Sequence, residues 1–228
     1  MSKGHKLKVT VIVAVYNQER FIGRCLRSLL HQTMSHHEYE VIVINDGSTD
    51  RTNYALELFC DPFDSVIQVI NCKTNGGLPA AINQGLYAAN SSLVVRVDSD
   101  DFVNVNFLNF LTFYLETNNN ADAVACDYLL LNDEETVIKR CNCLEEPIAC
   151  GIMFRKEQLF EIGLYDESFK LHEERDLRAR FEKKYHIHQL KLPLYRYRRH
   201  DNNMTNDKVE MDKYYDNLLA KHGKNTIK

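Results

Sequence analysis

The chain has 228 residues, of which 44% are hydrophobic, and a formal net charge of −4 at pH 7. This composition fits a globular domain with a substantial core, and the charge argues against a general nucleic-acid binder. No apolar run approaches the roughly 18 residues that a membrane-spanning helix needs, and the N-terminal residues do not read as a secretory signal. The seven cysteines are scattered without a disulfide framework, which predicts reduced thiols and a cytoplasmic location.

Four short apolar runs in the first half of the chain predict buried β-strands. They cover residues 9–15, 40–44, 65–70 and 93–97. In each interval between them, helical spacing of apolar residues or a proline suited to a first helical turn predicts a helix. Strands that alternate with helices form βαβ units, so we expect a mainly parallel α/β sheet.

Polar residues stand where three of these strands end. Tyr16 and Asn17 follow the first strand, Asn45 and Asp46 end the second, and Asp98-Ser99-Asp100 follow the fourth. In parallel sheets ligands bind outside the carboxyl ends of the strands, so these residues predict one binding site. The sequence contains neither G-x-G-x-x-G nor a Walker lysine motif, which argues against dinucleotide and P-loop sites.

The Asp-x-Asp motif predicts a metal site. If the chain stays extended, Asp98 and Asp100 point to one face because side chains alternate along a strand. Two converging carboxylates repel each other unless a cation lies between them. Oxygen ligands of this kind suit Mg²⁺ or Mn²⁺ that also binds substrate phosphates. The alternative is a solvated acidic turn before the next element.

The pattern changes after residue 102. Helices are predicted at 107–115, 156–162, 174–184 and after residue 207, strands at 123–131, 136–140 and 187–192, a strand or turn at 150–154, and a loop at 163–167. We find no internal repeat and no linker. We therefore expect a single domain over 1–228, with a first half at about 8–101, a second half at about 102–204 and a helical tail at 205–228.

The ordered motifs resemble those of the family 2 glycosyltransferases with the GT-A fold, from about residue 8 to about residue 204. The matching segments are 9–17, 28–33, 40–50, 75–85, Asp98-Ser99-Asp100, 163–167 and 173–177. Four residues depart from the family pattern. Ala14 stands where proline is frequent, Asn45 replaces the first of an Asp pair, Ile82 replaces a common arginine, and Glu174 replaces the aspartate proposed as the base.

The resemblance implies a Rossmann-like α/β fold with a mainly parallel central sheet flanked by helices and a smaller mixed layer on the acceptor side. It implies inverting transfer of a sugar from a nucleotide-diphosphate donor, with UDP favoured. The implied acceptor is a hydroxyl of a saccharide or lipid-linked molecule in cell-surface polysaccharide or glycoconjugate synthesis. Mn²⁺ or Mg²⁺ is the implied cofactor. A lipid-linked acceptor would be reached peripherally at the inner face of a membrane, and nucleic acid is not an expected partner.

The resemblance also implies roles for individual residues. The residues expected at the nucleotide are Val15, Tyr16, Asn17, Asp46, Asn83, Asp98 and Ser99. Tyr16 is expected to stack on the base and Asp46 to accept its ring N–H, whereas Asn17 reads rather as a helix N-cap. Asp100, Asp98 and His200 are the expected metal ligands, and Asp98 is alternatively placed at the ribose or a metal-bound water.

Glu174 is the expected general base, with Glu173 as its rival and Asp176 as a weaker one. The alternative is an acidic helix start that the macrodipole stabilises. Gly151, Asp176 and Arg199 are expected to contact the donor or acceptor. Arg199 belongs to a basic cluster at residues 196–200 that either closes over the diphosphate or stays at the surface.

Two other functions remain open from the sequence. A sugar nucleotidyltransferase would need a glycine- and lysine-rich phosphate loop near the N-terminus, which residues 15–18 do not supply. A non-catalytic module that binds a nucleotide sugar is compatible with the replacement at Glu174. The sequence names neither the sugar, the acceptor nor the oligomeric state.

Overall fold

A computed structural model describes residues 6–63, 66–201 and 208–223. The predicted strand start at residue 65, residues 202–204 of the second half, and residues 205–207 and 224–228 of the tail lie outside these ranges. In the described residues the strands are β1 Val9–Val15, β2 Tyr39–Asn45, β3 Ile67–Asn71, β4 Leu93–Arg96, β5 Phe102–Val103, β6 Ala123–Leu131, β7 Val137–Cys141, β8 Ile152–Arg155 and β9 Ile187–Arg198. The helices there are α1 Ile22–Leu30, α2 Thr52–Phe63, α3 Leu78–Ala88, α4 Phe107–Thr117, α5 Lys156–Glu161, α6 Glu173–Phe181 and α7 Lys208–His222.

The described strands form one sheet in the order β3-β2-β1-β4-β8-β6-β9-β5, with β7 paired to β6. Strands β3, β2, β1 and β4 run parallel, as predicted for the first half. Apolar residues fill both faces of β1 and β2, which is typical of a parallel sheet covered by helices on both sides. All three connections between these strands are the predicted helices.

The second half has mixed strand directions. Strand β8 is antiparallel to β4 and to β6, whereas β9 is parallel to β6 and antiparallel to β5. These strands continue the first sheet edge to edge, so the predicted smaller mixed part completes the sheet of the first half. Strand β9 is also longer than predicted, because the alternating residues 195–198 pair with β6 and β5.

Helices cover the sheet on both faces. Buried residues of α1, α2 and α4 pack on one face, and buried residues of α3, α5 and α6 pack on the other. Gly85 of α3 lies so close to β1 that an added Cβ would stand 2.6 Å from Ile12 Cγ2, so helix and strand require glycine at this contact. Across the described ranges, no helix is long and apolar enough to cross a membrane.

Candidate active site

The polar residues at the carboxyl ends of β1, β2 and β4 lie at one edge of the sheet. Strands β1 and β2 pair up to Val15 and Asn45, and the Asp46 N–H donates to the Val15 carbonyl at 2.9 Å. Val15 itself is buried, whereas Tyr16 is 45% exposed. An exposed aromatic ring beside a strand end offers a flat apolar surface on which a planar ligand can stack.

Asn17 does not cap helix α1, and that prediction is wrong. The N-cap of α1 is Phe21, and Asn17 has a left-handed φ of +51°. The Asn17 side-chain oxygen accepts hydrogen bonds from the Thr49 N–H at 2.8 Å and the Asp50 N–H at 3.3 Å. Asn17 therefore ties the loop after β1, which carries Tyr16, to the loop after β2.

The Asp46 carboxylate organises a third loop. Its Oδ1 accepts the Gly76 N–H at 2.8 Å and its Oδ2 accepts the Gly77 N–H at 2.9 Å. Each carboxylate oxygen keeps further acceptor capacity, because a carboxylate has about four lone-pair positions. Gly47 follows with φ +70°, and a Cβ there would stand 2.7 Å from the Asn75 nitrogen. Glycine is therefore required where the backbone at residue 47 passes close to the backbone at residue 75.

The Asp-x-Asp segment turns instead of staying extended. The Asp101 N–H donates to the Asp98 carbonyl at 3.1 Å, so strand alternation does not govern Asp98 and Asp100. Asp98 Oδ1 accepts a hydrogen bond from Arg96 Nε at 2.6 Å, and its side chain is 23% exposed. Asp100 Oδ2 lies 3.0 Å from His200 Nε2, and the His200 ring stacks on Phe21. Both carboxylates are partly exposed, and His200 lies beside that of Asp100.

Three side chains at this turn lie close enough together that they could hold a metal ion. Carboxylate oxygens of Asp98, Asp101 and the Cys150 sulfur lie within 4.8 Å of one another. Asp101 is buried and accepts the Tyr195 hydroxyl at 2.8 Å and the Arg198 N–H at 2.7 Å, so it supports the turn from inside. Burial, followed by the charges of Asp100 and Asp98, raises the pKa of Asp101 well above its usual value. Asp101 is thus committed to Tyr195 and Arg198, and the partly exposed Asp98 carboxylate is the donor of the oxygen type that suits Mg²⁺ or Mn²⁺. The predicted ligands Asp100 and His200 lie outside this group of three and contact each other.

The acidic start of α6 lies next to this turn. Glu173 is 4% exposed, and its Oε1 accepts a hydrogen bond from Arg96 Nη1 at 3.0 Å. Burial raises the pKa of Glu173 to about 7, with a further contribution from Glu174 that Arg96 opposes. The Glu174 side chain is 30% exposed, and its closest recorded cation is Arg175 at 3.9 Å. Of the two glutamates, Glu174 is therefore the one that a substrate can reach.

The structure contradicts direct substrate contact by Asp176. Its side chain is completely buried, and its carboxylate contacts Arg180, Lys221 and His222, each at 2.7 Å. Burial alone would raise the pKa of Asp176, but hydrogen bonds from Lys221, His222 and Arg180 outweigh burial and lower it. Asp176 thus joins α6 to α7 and is not available to a sugar.

Asn83 also has a different role from the predicted one. Its amide oxygen accepts the Tyr165 N–H at 3.0 Å, and its amide nitrogen donates to the Tyr165 carbonyl and to Glu167, both at 2.9 Å. The buried Asn83 amide is therefore occupied within the protein. It fixes the loop at residues 163–167, which leads to α6, and does not contact a nucleotide in this arrangement.

Three further predicted residues lie around the turn. Ser99 is 6% exposed within it. Gly151 has φ +73°, donates its N–H to the Arg96 carbonyl at 3.2 Å, and would place a Cβ 3.2 Å from the Tyr195 ring. Arg199 follows β9 with an exposed side chain, and its N–H donates to the Leu131 carbonyl. Gly151 therefore touches the site through its backbone, and Arg199 stands at its surface.

The sequence predicted inward packing for Tyr195 and no role at the site for Arg96, Asp101 or Tyr195. Tyr195 is fully buried, and its hydroxyl accepts the Asp98 N–H at 3.0 Å while it donates to Asp101. The sequence feature that could have pointed to Arg96 is its position as a single charge in an otherwise apolar run, just before two aspartates. A buried arginine needs carboxylate partners, and here they are Asp98 and Glu173.

Residues 10–171 match the sequence profile of the family Glycosyl transferase family 2. The chain therefore belongs to this family, and the resemblance seen in the sequence is confirmed. It is 40% identical over 120 residues to the uncharacterized glycosyltransferase EpsJ of Bacillus subtilis strain 168, an alignment that covers 53% of this chain and 33% of that protein. The chain thus spans about a third of the length of this relative.

Two solved structures show the same fold. The crystal structure of S. aureus TarS 1–349 in complex with UDP-GlcNAc superposes with a TM-score of 0.76 at 21% identity, covering 93% of this chain and 67% of that one. The mannosyltransferase PcManGT from Pyrobaculum calidifontis, in complex with GDP-Man and Mn²⁺, superposes with a TM-score of 0.75 at 18% identity, covering 95% and 64%. The predicted GT-A fold is confirmed.

Proposed function

We propose that the protein is an inverting glycosyltransferase that moves a sugar from a UDP-sugar to an acceptor hydroxyl. The observation that carries the proposal is the proximity of two acidic segments. Asp98 in the turn and Glu173 at the start of α6 are 75 positions apart in the sequence. Both nevertheless contact Arg96 at the carboxyl end of β4. One segment suits a donor diphosphate and its cation, and the other suits a base for the acceptor.

The first half of the chain would hold the donor. Tyr16 stacks on the nucleotide base, and Asp46, already fixed by the Gly76 and Gly77 N–H groups, accepts a ring N–H. Asp100 and His200 would hold the cation, and Asp98 would meet the ribose or a water on the cation. Bound Mn²⁺ or Mg²⁺ supplies Lewis-acid stabilisation of the leaving diphosphate. The complexes of TarS with UDP-GlcNAc and of PcManGT with GDP-Man and Mn²⁺ support this use of the fold.

Glu174 would act as the general base. Its partly exposed carboxylate takes the proton from the acceptor hydroxyl while that oxygen attacks the anomeric carbon from the side opposite the diphosphate. Displacement from the opposite face inverts the configuration at that carbon. Glu173 is the weaker candidate because it is buried and paired with Arg96.

The acceptor is proposed as a saccharide or lipid-linked molecule of a cell-surface polysaccharide. The protein would work in the cytoplasm and reach a lipid-linked acceptor by peripheral contact with the membrane. Membership of the glycosyl transferase family argues against a sugar nucleotidyltransferase. The remaining alternative is a module that binds the donor without transferring the sugar. The experiments below distinguish this alternative from a catalyst.

Calorimetric titration of UDP with Mn²⁺, and again with EDTA, tests the donor site. We expect clear binding with Mn²⁺ and at least about tenfold weaker binding with EDTA, since the cation neutralises the carboxylates that face the diphosphate. Equal affinity in both would refute the metal. Tighter binding of GDP or CMP would refute the choice of uridine.

The variant Glu174→Gln tests the base. It should bind UDP with nearly unchanged affinity but lower turnover by about 100-fold or more, because a base assists only as the hydroxyl attacks. Turnover is followed as UDP release from UDP-sugars across a panel of saccharide acceptors. Glu182→Gln, at the exposed far end of α6, is the matched control and should behave as wild type. Donor binding without UDP release by any wild-type reaction would favour the non-catalytic module.

A further inference from the structure

A single buried guanidinium joins the donor-binding turn to the base-bearing helix. Arg96 is 8% exposed and ends β4, two residues before Asp98. Its Nε donates to Asp98 Oδ1 at 2.6 Å, and its Nη1 donates to Glu173 Oε1 at 3.0 Å. Within the described ranges, the recorded ion pairs of both carboxylates are with Arg96 alone. Resting on the function proposed above, we infer that Arg96 is a positioning residue for the transfer reaction.

The surroundings leave Arg96 little freedom. Gly151 donates its N–H to the Arg96 carbonyl at 3.2 Å, and the buried Tyr165 lies against the guanidinium. Because the guanidinium group is planar and rigid, its Nε and Nη1 donors keep a fixed separation. A shift of the Asp98 carboxylate is therefore passed on to Glu173, and the reverse. A lysine ammonium is a point charge on a flexible stem and cannot keep both partners at set distances.

The contact acts on the base through its neighbour. Glu173 is the first residue of α6 and follows His172, which has a left-handed φ of +63°. The helix therefore begins at a sharp change of direction, and its first carboxylate is fixed to β4 by Arg96. Because Glu174 is the next residue, fixing Glu173 also sets the direction in which the Glu174 side chain projects from the first turn of α6. Arg96 thereby aligns Glu174 with the donor that Asp98 and Asp100 hold, without itself touching the acceptor.

The variant Arg96→Lys tests this positioning in the full chain. It keeps the charge, so the protein should fold and bind Mn²⁺ and UDP within about threefold of wild type, while turnover falls at least about tenfold because geometry is lost. The matched control is Arg155→Lys in neighbouring β8. Arg155 donates to the Leu115 and Ala121 carbonyls, both outside the candidate site, so this variant should leave turnover unchanged. Wild-type turnover in Arg96→Lys would overturn the inference.

A second variant pair separates positioning from simple stability. Arg96→Met leaves Glu173 buried without its partner and should lower the melting temperature. Adding Glu173→Leu replaces the second member of the buried pair by an apolar side chain and should restore the melting temperature while turnover stays low. If turnover returned together with stability, Arg96 would be only structural and the inference would fail. A wild-type protein that binds no UDP would instead refute the proposed function itself.

Discussion

Glu173 gives the protein a specific dependence of stability on pH. The carboxyl is 4% exposed, and burial raises its pKa from 4.5 to about 7 despite the contact with Arg96. Between these two values the folded state holds a proton that the unfolded state has released. The contribution of Glu173 to folding stability is therefore greatest below pH 4.5 and is lost as the pH rises through about 7.

The size of the effect follows from the difference between the two pKa values. One pKa unit corresponds to about 1.4 kcal/mol, so the full effect is about 3 kcal/mol, of which about 2–3 kcal/mol falls between pH 5 and pH 8. Because Glu173 is almost fully enclosed, no large reduction for solvent screening applies. Glu173→Gln keeps the side-chain shape and an oxygen acceptor for Arg96 but removes the titration.

Urea unfolding at pH 5 and pH 8, in EDTA, measures this effect. The loss of unfolding free energy from pH 5 to pH 8 should be smaller in Glu173→Gln than in wild type by about 2–3 kcal/mol. Other groups that titrate in this range are common to both proteins and cancel in the comparison. Glu182→Gln is the control and should keep the wild-type pH dependence. Parallel curves for wild type and Glu173→Gln would show that the reasoning from burial is wrong.

Three further variants test the cation site and the packing. Asp100→Asn should weaken UDP binding in Mn²⁺ at least about tenfold and leave binding in EDTA nearly unchanged, and an equal loss in both would contradict a ligand role. Gly85→Ala should lower the unfolding free energy by about 1–2 kcal/mol, since the clash with Ile12 exceeds the gain in helix propensity; urea unfolding at wild-type stability would show that the contact relaxes. Asp176→Asn should cost about 2–4 kcal/mol in the same assay because Arg180, Lys221 and His222 lose their shared carboxylate, and a neutral result would show that α7 is not held through Asp176.

The sequence by itself determined the parallel half of the sheet and the edge where the site lies. Apolar runs of strand length between helical segments leave few arrangements, and polar residues at the strand ends meet wherever parallel strands end together. The same local patterns predicted β6, β7, α4 and the C-terminal helix. These features depend on residues close together in the chain, so composition and spacing suffice to recognise them.

Tertiary structure alone decided which polar side chains are occupied within the protein and which stay exposed at the candidate site. Asn17 and Asn83 look like site residues in the sequence, but their amides bind backbone groups of loops 32 and 82 positions away. Asp176 and Glu174 are neighbours on one helix, yet only Asp176 meets α7 and is enclosed. Arg96 gained its role from Glu173, 77 positions later. The physical reason is that burial and charge pairing depend on contacts between distant segments, which the spacing of residues along the chain does not encode.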